Sequence, residues 1–187
     1  DFAAGMAEVV KCGFIDDEEI LKLVKDKSLS SIRSDAQLVN NFIERSVTTK
    51  AKVVSEDFKE SELREILNYG HTFGHAIERV SDYSIRHGEA VSIGMVFVAE
   101  LAAEAGLIDS ELLQLHRAIL KGLELPVSLS NVAGGGNWPA LYAAMALDKK
   151  ARGSAIRFVV LNALGDCGRL EGVTEEQLKS AYEKVLA

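Results

Sequence analysis

Glu60–Glu78 reads E-S-E-L-R-E-I-L-N-Y-G-H-T-F-G-H-A-I-E. Taken as one α-helix, each residue turns by about 100°. Measured from Glu60, Arg64 then falls near roughly 40°, Asn68 near 80°, His71 near 20°, His75 near 60° and Glu78 close to 0°. Proton-, metal- and anion-binding groups thus share an arc of about 80°. Leu63, Ile66, Leu67, Tyr69, Phe73, Ile77 and Val80 fill most of the other side. A merely solvated face would favour Lys, Glu and Gln, whereas this stripe has the mixture of a site. Gly70 and Gly74, each directly before a histidine, cost about 1 kcal/mol apiece against Ala inside a helix. Close approach of another helix or of a ligand is the expected reason.

Outward from this stretch the chain reads as mainly α. Helices are expected over Ala4–Cys12, ending near Gly13, then over Asp16–Lys25 and Ala36–Glu56, with a polar loop at Ser28–Ser34. In the third of these, Leu38, Phe42, Ile43, Val47, Ala51 and Val54 form an apolar stripe at helical spacing. An apolar helix over Ala90–Ala105 has few polar neighbours, so burial on most sides is expected, with His87 at its mouth. Ser110–Gly122 reads as an amphipathic helix carrying His116 on its surface. Asn137-Trp138-Pro139 caps another, running to about Leu147. A small β-hairpin follows, from Ser154–Leu161 and Gly168–Glu171, and a helix begins at Thr174. One helical domain over residues 1–187 accounts for all of this.

Composition excludes several classes. The 187 residues are 48% apolar, enough for a real core, and the net charge of −7 argues against a nucleic-acid surface. No apolar run reaches transmembrane length. Cys12 and Cys167 have neither metal-ligand spacing nor a disulfide framework, which points to reduced thiols in a cytoplasmic protein. Gly134-Gly135-Gly136 lacks the Lys-Ser/Thr ending of a P-loop, and no βαβ unit is present to hold a dinucleotide. The opening at Asp1, without Met and directly in a helical run, suggests a piece of a longer chain.

His71 and His75, four apart, can address one point, but Thr72 stands where a zinc protease needs Glu. His87 adds a third imidazole. A catalytic divalent metal wants three protein ligands and an open position. His71, His87 and one carboxylate would meet that, with Glu8, Glu60 and Glu78 all open candidates. Glu8 and Lys11, three apart, read from spacing alone as an ordinary surface ion pair. Lys50 reads as a solvated lysine near a helix end. Lys11, Lys50, Arg64, Asn68 and Lys149/Lys150 around such a metal would suit an anionic, hydroxyl-rich substrate.

Taken in order, A-E-V-V-K (Ala7–Lys11), L-R-E-I-L-N-Y-G-H-T-F-G-H-A-I-E (Leu63–Glu78), R-H-G-E-A-V-S-I-G-M (Arg86–Met95) and D-K-K (Asp148–Lys150), with G-S-A-I-R-F-V-V-L after it, resemble the C-terminal half of 3-dehydroquinate synthases. The resemblance implies that fold. It also implies conversion of 3-deoxy-D-arabino-heptulosonate 7-phosphate to 3-dehydroquinate and phosphate, a shikimate-pathway step. That reaction uses NAD+ and a divalent metal, zinc or cobalt. By the same resemblance Glu8, His71 and His87 hold the metal, replacing the surface-pair reading of Glu8. Glu60 and His75 take proton-transfer roles, and Lys11, Lys50, Arg64, Asn68 and one of Lys149 and Lys150 contact substrate. His71 and His87, as metal ligands, border it. Glu78 is left as a structural carboxylate or one that supports a metal ligand from behind. No NAD+ contact is assigned to this chain, because Ala3 and Ala4 stand where many relatives are polar. A homodimer is implied at full length, and the half alone is expected to fold without turning over. Rival readings are another sugar-phosphate cyclase, a metal-dependent alcohol or glycerol dehydrogenase, and a non-catalytic helical interaction module.

Overall fold

The computed structural model describes residues 1–56, 63–152 and 156–187, and within them all side chains except those of residues 56, 63 and 148–152. The helices are α1 (Phe2–Ile15), α2 (Glu18–Val24), α3 (Leu29–Ser34), α4 (Ala36–Glu56), α5 (His71–Val80), α6 (His87–Glu104), α7 (Ser110–Gly122), α8 (Trp138–Arg152) and α9 (Glu175–Leu186). Two antiparallel strands, β1 (Arg157–Ala163) and β2 (Asp166–Glu171), separate α8 from α9. No described helix is long and apolar enough to cross a membrane.

The fold is arranged around α6, whose residues Ala90–Ala102 are all buried. α1, α5, α7, α9 and β1 pack on it from different sides. Such a helix must satisfy its own polar groups. Ser92 Oγ donates to the Pro126 carbonyl at 2.7 Å, and Glu100 accepts from Arg117 Nη2 at 2.6 Å with Lys184 Nζ 3.5 Å away. Phe97 stacks on Phe73 of α5 at 3.9 Å between ring centres and meets Phe158 of β1 at 5.9 Å. Each such buried apolar side chain contributes about 1.5–3 kcal/mol.

Two glycines let α6 approach its neighbours at backbone distance. A Cβ on Gly88 would sit 1.9 Å from the Ala4 carbonyl oxygen, and one on Gly94 2.0 Å from that of Gly70. The first contact sets the start of α6 against α1, one turn from Glu8. The second clamps α6 against the start of α5. Helix contact is therefore the reason for glycine before the histidines, and Gly74 likewise lies against Ala90 and Val91.

Several expectations need correction. Leu63–Val80 is not one helix: Leu63–Asn68 is 3-10, Tyr69-Gly70 turns, and Gly70, at φ +78°, begins α5. That left-handed backbone favours glycine and ends any continuous stripe. Ser28–Ser34 is no loop, because Ser28 Oγ accepts from Ser31 N at 3.2 Å and caps the short α3. α1 runs through Gly13 to Ile15. On α4 the inward face is Leu38, Phe42, Thr49 and Val53, while Ile43, Val47 and Val54 are exposed. His116 is interior: its Nδ1 donates to the Leu112 carbonyl at 2.7 Å, its Nε2 accepts from the Tyr69 hydroxyl at 2.8 Å, and Phe14 stacks on it at 3.9 Å. The hairpin, the α4 and α7 boundaries and the Thr174 cap follow the sequence, the last as a reciprocal pair with Gln177.

Candidate metal centre

Glu8 projects from the middle of α1, one turn after the Ala4–Gly88 contact, and His87 is the first residue of α6. His71 is the first residue of α5, set by the turn at Gly70. Three helices thus deliver one side chain each to a single place. A ligand atom of Glu8, His71 and His87 can be chosen so that all lie within 4.8 Å of one another. His71 Nε2 is 3.6 Å and His87 Nε2 3.9 Å from Glu8 Oε1.

The far side of each ring is anchored. His71 Nδ1 lies 3.1 Å from the Tyr69 carbonyl, which can only accept, so the proton sits on Nδ1 and the lone pair on Nε2. His87 Nδ1 lies 3.1 Å from Glu78 Oε1. His75, exposed one turn after His71, stands 5.4 Å from His71 and 6.0 Å from His87 between ring centres.

Two lysines converge on the Glu8 carboxylate. Lys11 is buried, 2% exposed, with Nζ 3.0 and 2.9 Å from the two Glu8 oxygens. Lys50 Nζ reaches Glu8 Oε2 at 3.4 Å from α4. Burial of Glu8 works upward on its proton affinity, but Lys11, its hydrogen bonds, His71 and Lys50 outweigh it, so the carboxyl titrates below its usual range. Burial, opposed by Glu8, draws the Lys11 ammonium below its ordinary value. Burial first and Lys11 second bring His71 down to about 4. At neutral pH the cluster therefore offers an ionised carboxylate and a neutral imidazole, the forms a divalent metal binds.

Of the residues singled out by sequence, the structure brings together Glu8, Lys11, Lys50, His71, His75, Glu78 and His87. Arg64, exposed, and Asn68, half-buried, lie on the 3-10 segment before the Gly70 turn, which packs on α1 and α4, the helices that carry Glu8, Lys11 and Lys50. Glu60 and the Lys149 and Lys150 side chains lie outside the described residues. An open depression of about 480 Å³ borders the cluster, lined by Thr72, His75, Glu78, Arg79, Tyr83 and Leu147. Sequence reading gave neither the Tyr69 carbonyl nor the Glu78 contact with His87. What marks Glu78 in the sequence is its place in the same arc as the histidines, as one of three open carboxylates.

Residues 5–151 match the sequence family described as 3-dehydroquinate synthase C-terminal. The chain is 50% identical over 185 residues to the 3-dehydroquinate synthase of Corynebacterium diphtheriae, covering 99% of this chain and 50% of that protein. It is 48% identical to that of Thermobifida fusca, covering 99% and 49%. It therefore spans about half the length of the curated relatives it matches. Among solved structures it resembles the 2-epi-5-epi-valiolone synthase ValA of Streptomyces hygroscopicus, bound to NAD+ and Zn2+, with TM-score 0.85, 24% identity, 98% of this chain and 51% of that one. It also resembles a 2-deoxy-scyllo-inosose synthase complexed with carbaglucose-6-phosphate, NAD+ and Co2+, with TM-score 0.80, 24% identity, 99% of this chain and 52% of that one. At that identity these two speak for the fold alone. A chain matched over residues 5–151 and half identical to such relatives belongs to the 3-dehydroquinate synthase family.

Proposed function

We propose that this chain is the metal- and substrate-gripping half of a 3-dehydroquinate synthase, acting on 3-deoxy-D-arabino-heptulosonate 7-phosphate in the cytoplasm, with NAD+ held mainly by residues outside it. The single observation that carries this reading is the convergence of His71 Nε2 and His87 Nε2 on Glu8 Oε1. Two nitrogens and one carboxylate, with nothing else required of the protein, suit a catalytic zinc or cobalt ion that keeps a position open for substrate. When bound, the metal supplies Lewis-acid polarisation of substrate oxygens and NAD+ supplies the hydride chemistry.

The chain's own groups do the rest. Lys11 and Lys50, converging on Glu8, give the cluster positive charge that favours an anionic substrate and steadies enolate oxygen. His75, on the rim beside the depression, receives and returns a proton and meets the leaving phosphate. Arg64, Asn68 and one lysine of the D-K-K run complete the grip on phosphate and carboxylate, and Glu60 shares in proton transfer. α8, which packs on α5, carries that run in its last turns. Two such proteins form the working homodimer at full length, and the half alone releases no product.

The test is a chimera in which residues 1–187 replace the matching half of the Corynebacterium diphtheriae relative. Inorganic phosphate should be released from the heptulosonate phosphate in the presence of NAD+ and Co2+, and His87→Ala should abolish it. NADH accumulating without phosphate would favour the alcohol-dehydrogenase reading, and no reaction with a folded chimera would favour an interaction module.

A further inference from the structure

His87 differs from His71 in how it is held. The His71 side chain is 12% exposed and fixed by a backbone carbonyl, whereas that of His87 is 46% exposed and meets a side-chain carboxylate. An exposed imidazole rotates among several rotamers and exchanges its tautomers freely. Here a hydrogen-bond contact opposes that freedom. Glu78 Oε1 lies 3.1 Å from His87 Nδ1, and the Glu78 side chain, 14% exposed, is carried on the rigid α5 in line with His71. A carboxylate can only accept, so this contact puts the proton on Nδ1 and leaves Nε2 bare, 3.9 Å from Glu8 Oε1.

We propose that Glu78 is a positioning residue. By accepting from Nδ1 it fixes the tautomer and the plane of the His87 ring, so that Nε2 is presented to the same point as His71 Nε2 and Glu8. The inference deepens the metal reading and rests on it for its purpose, though not for its geometry. A carboxylate behind a ligating imidazole also raises that ligand's basicity, and loss of such a partner typically weakens metal binding by about 10–100-fold. An ordinary exposed ion pair would instead touch stability by about 0–1 kcal/mol and leave the ring's tautomer alone. Glu78 also stands in a second possible cation group, with His75 and His87. In that case it would be a ligand itself.

Long-range 1H–15N correlation of the histidine rings, in metal-free protein at alkaline pH, reads the tautomer directly. His87 should carry its proton on Nδ1 in the wild type and in Glu78→Gln, whose amide oxygen still accepts. In Glu78→Ala it should shift toward the Nε2–H form that free imidazoles favour. Titration with Co2+ alone should then show one equivalent bound, about 10–100-fold more weakly in Glu78→Ala and closer to wild type in Glu78→Gln. An unchanged His87 spectrum in Glu78→Ala, or Nε2–H already dominant in the wild type, overturns the proposal. So does a wild type that binds two equivalents and a Glu78→Ala variant that binds one, since Glu78 would then be a ligand. Failure of the wild type to bind cobalt sinks the metal reading, while the tautomer result still decides the positioning role. Retained Tyr69–His116 ring signals show that each variant is folded.

Discussion

His116 turns the interior of this protein into a pH-dependent element, and its substitution tests how the core is satisfied. The ring is wholly buried, donates through Nδ1 to Leu112, accepts through Nε2 from the Tyr69 hydroxyl and lies flat on Phe14. Burial, against the pull of the Leu112 carbonyl, brings its proton affinity down from an ordinary 6.5 to about 4. The unfolded chain therefore takes up a proton near pH 6.5 that the folded chain refuses until about 4. In that window the unfolded state binds more protons, so stability rises with pH and is lost as pH falls. The displacement is worth about 3 kcal/mol, at about 1.4 kcal/mol per pH unit. His116→Leu removes the titration and leaves the Tyr69 hydroxyl without its acceptor, which costs about 1–3 kcal/mol at neutral pH. Urea unfolding of both proteins from about pH 7.5 to about pH 4.5 should show the wild-type advantage shrinking by about 2–3 kcal/mol. His71, low for its own reasons, is present in both and cancels. A difference between the two proteins that stays constant across the range would refute the reasoning.

Gly88→Ala should push α1 away from the start of α6, because the added carbon meets a backbone oxygen at 1.9 Å. A loss of about 1–3 kcal/mol in urea unfolding, together with weaker cobalt binding, is expected. Lys11→Met removes the second-largest influence lowering His71, so ring carbon shifts followed by NMR should show His71 titrating at higher pH than in the wild type. Arg117→Ala leaves Glu100, 5% exposed, with Lys184 as its remaining cation, and thermal unfolding should register about 3 kcal/mol of destabilisation.

Much of the fold was legible because its signals are local. The apolar run of α6, the turn between two β-rich segments and the Thr174 cap each announce themselves within a few residues. The errors came where long-range contacts override local pattern. Leu63–Val80 carries a convincing helical stripe, yet Gly70 must turn left-handed to fit beneath Met95 and Gly94, and that splits the stripe. His116 looked like a surface residue because its partners, Phe14 and Tyr69, lie 102 and 47 positions away. On α4 the apolar count misled, since burial there follows Leu38, Phe42, Thr49 and Val53 while Val47 stays 59% exposed. In the candidate site, spacing alone proposed two histidines and left three carboxylates open. The Ala4–Gly88 contact shows why Glu8, some eighty residues before His87, comes to face it. The ordinary surface-pair reading of Glu8 and Lys11 fails for a similar reason, because Lys11 is buried and Lys50, from the distant α4, reaches the same carboxylate.

The central claim is that Glu8, His71 and His87 together bind one divalent cation. Titration of the chain with Co2+, followed by its visible absorption, tests this most directly. One equivalent with the intense bands of a low-coordinate nitrogen and oxygen site is predicted, weakened by at least about 100-fold in each of Glu8→Ala, His71→Ala and His87→Ala and unchanged in Lys121→Ala. Cobalt bound equally well by all four variants, or not taken up by the folded wild type at all, would contradict it.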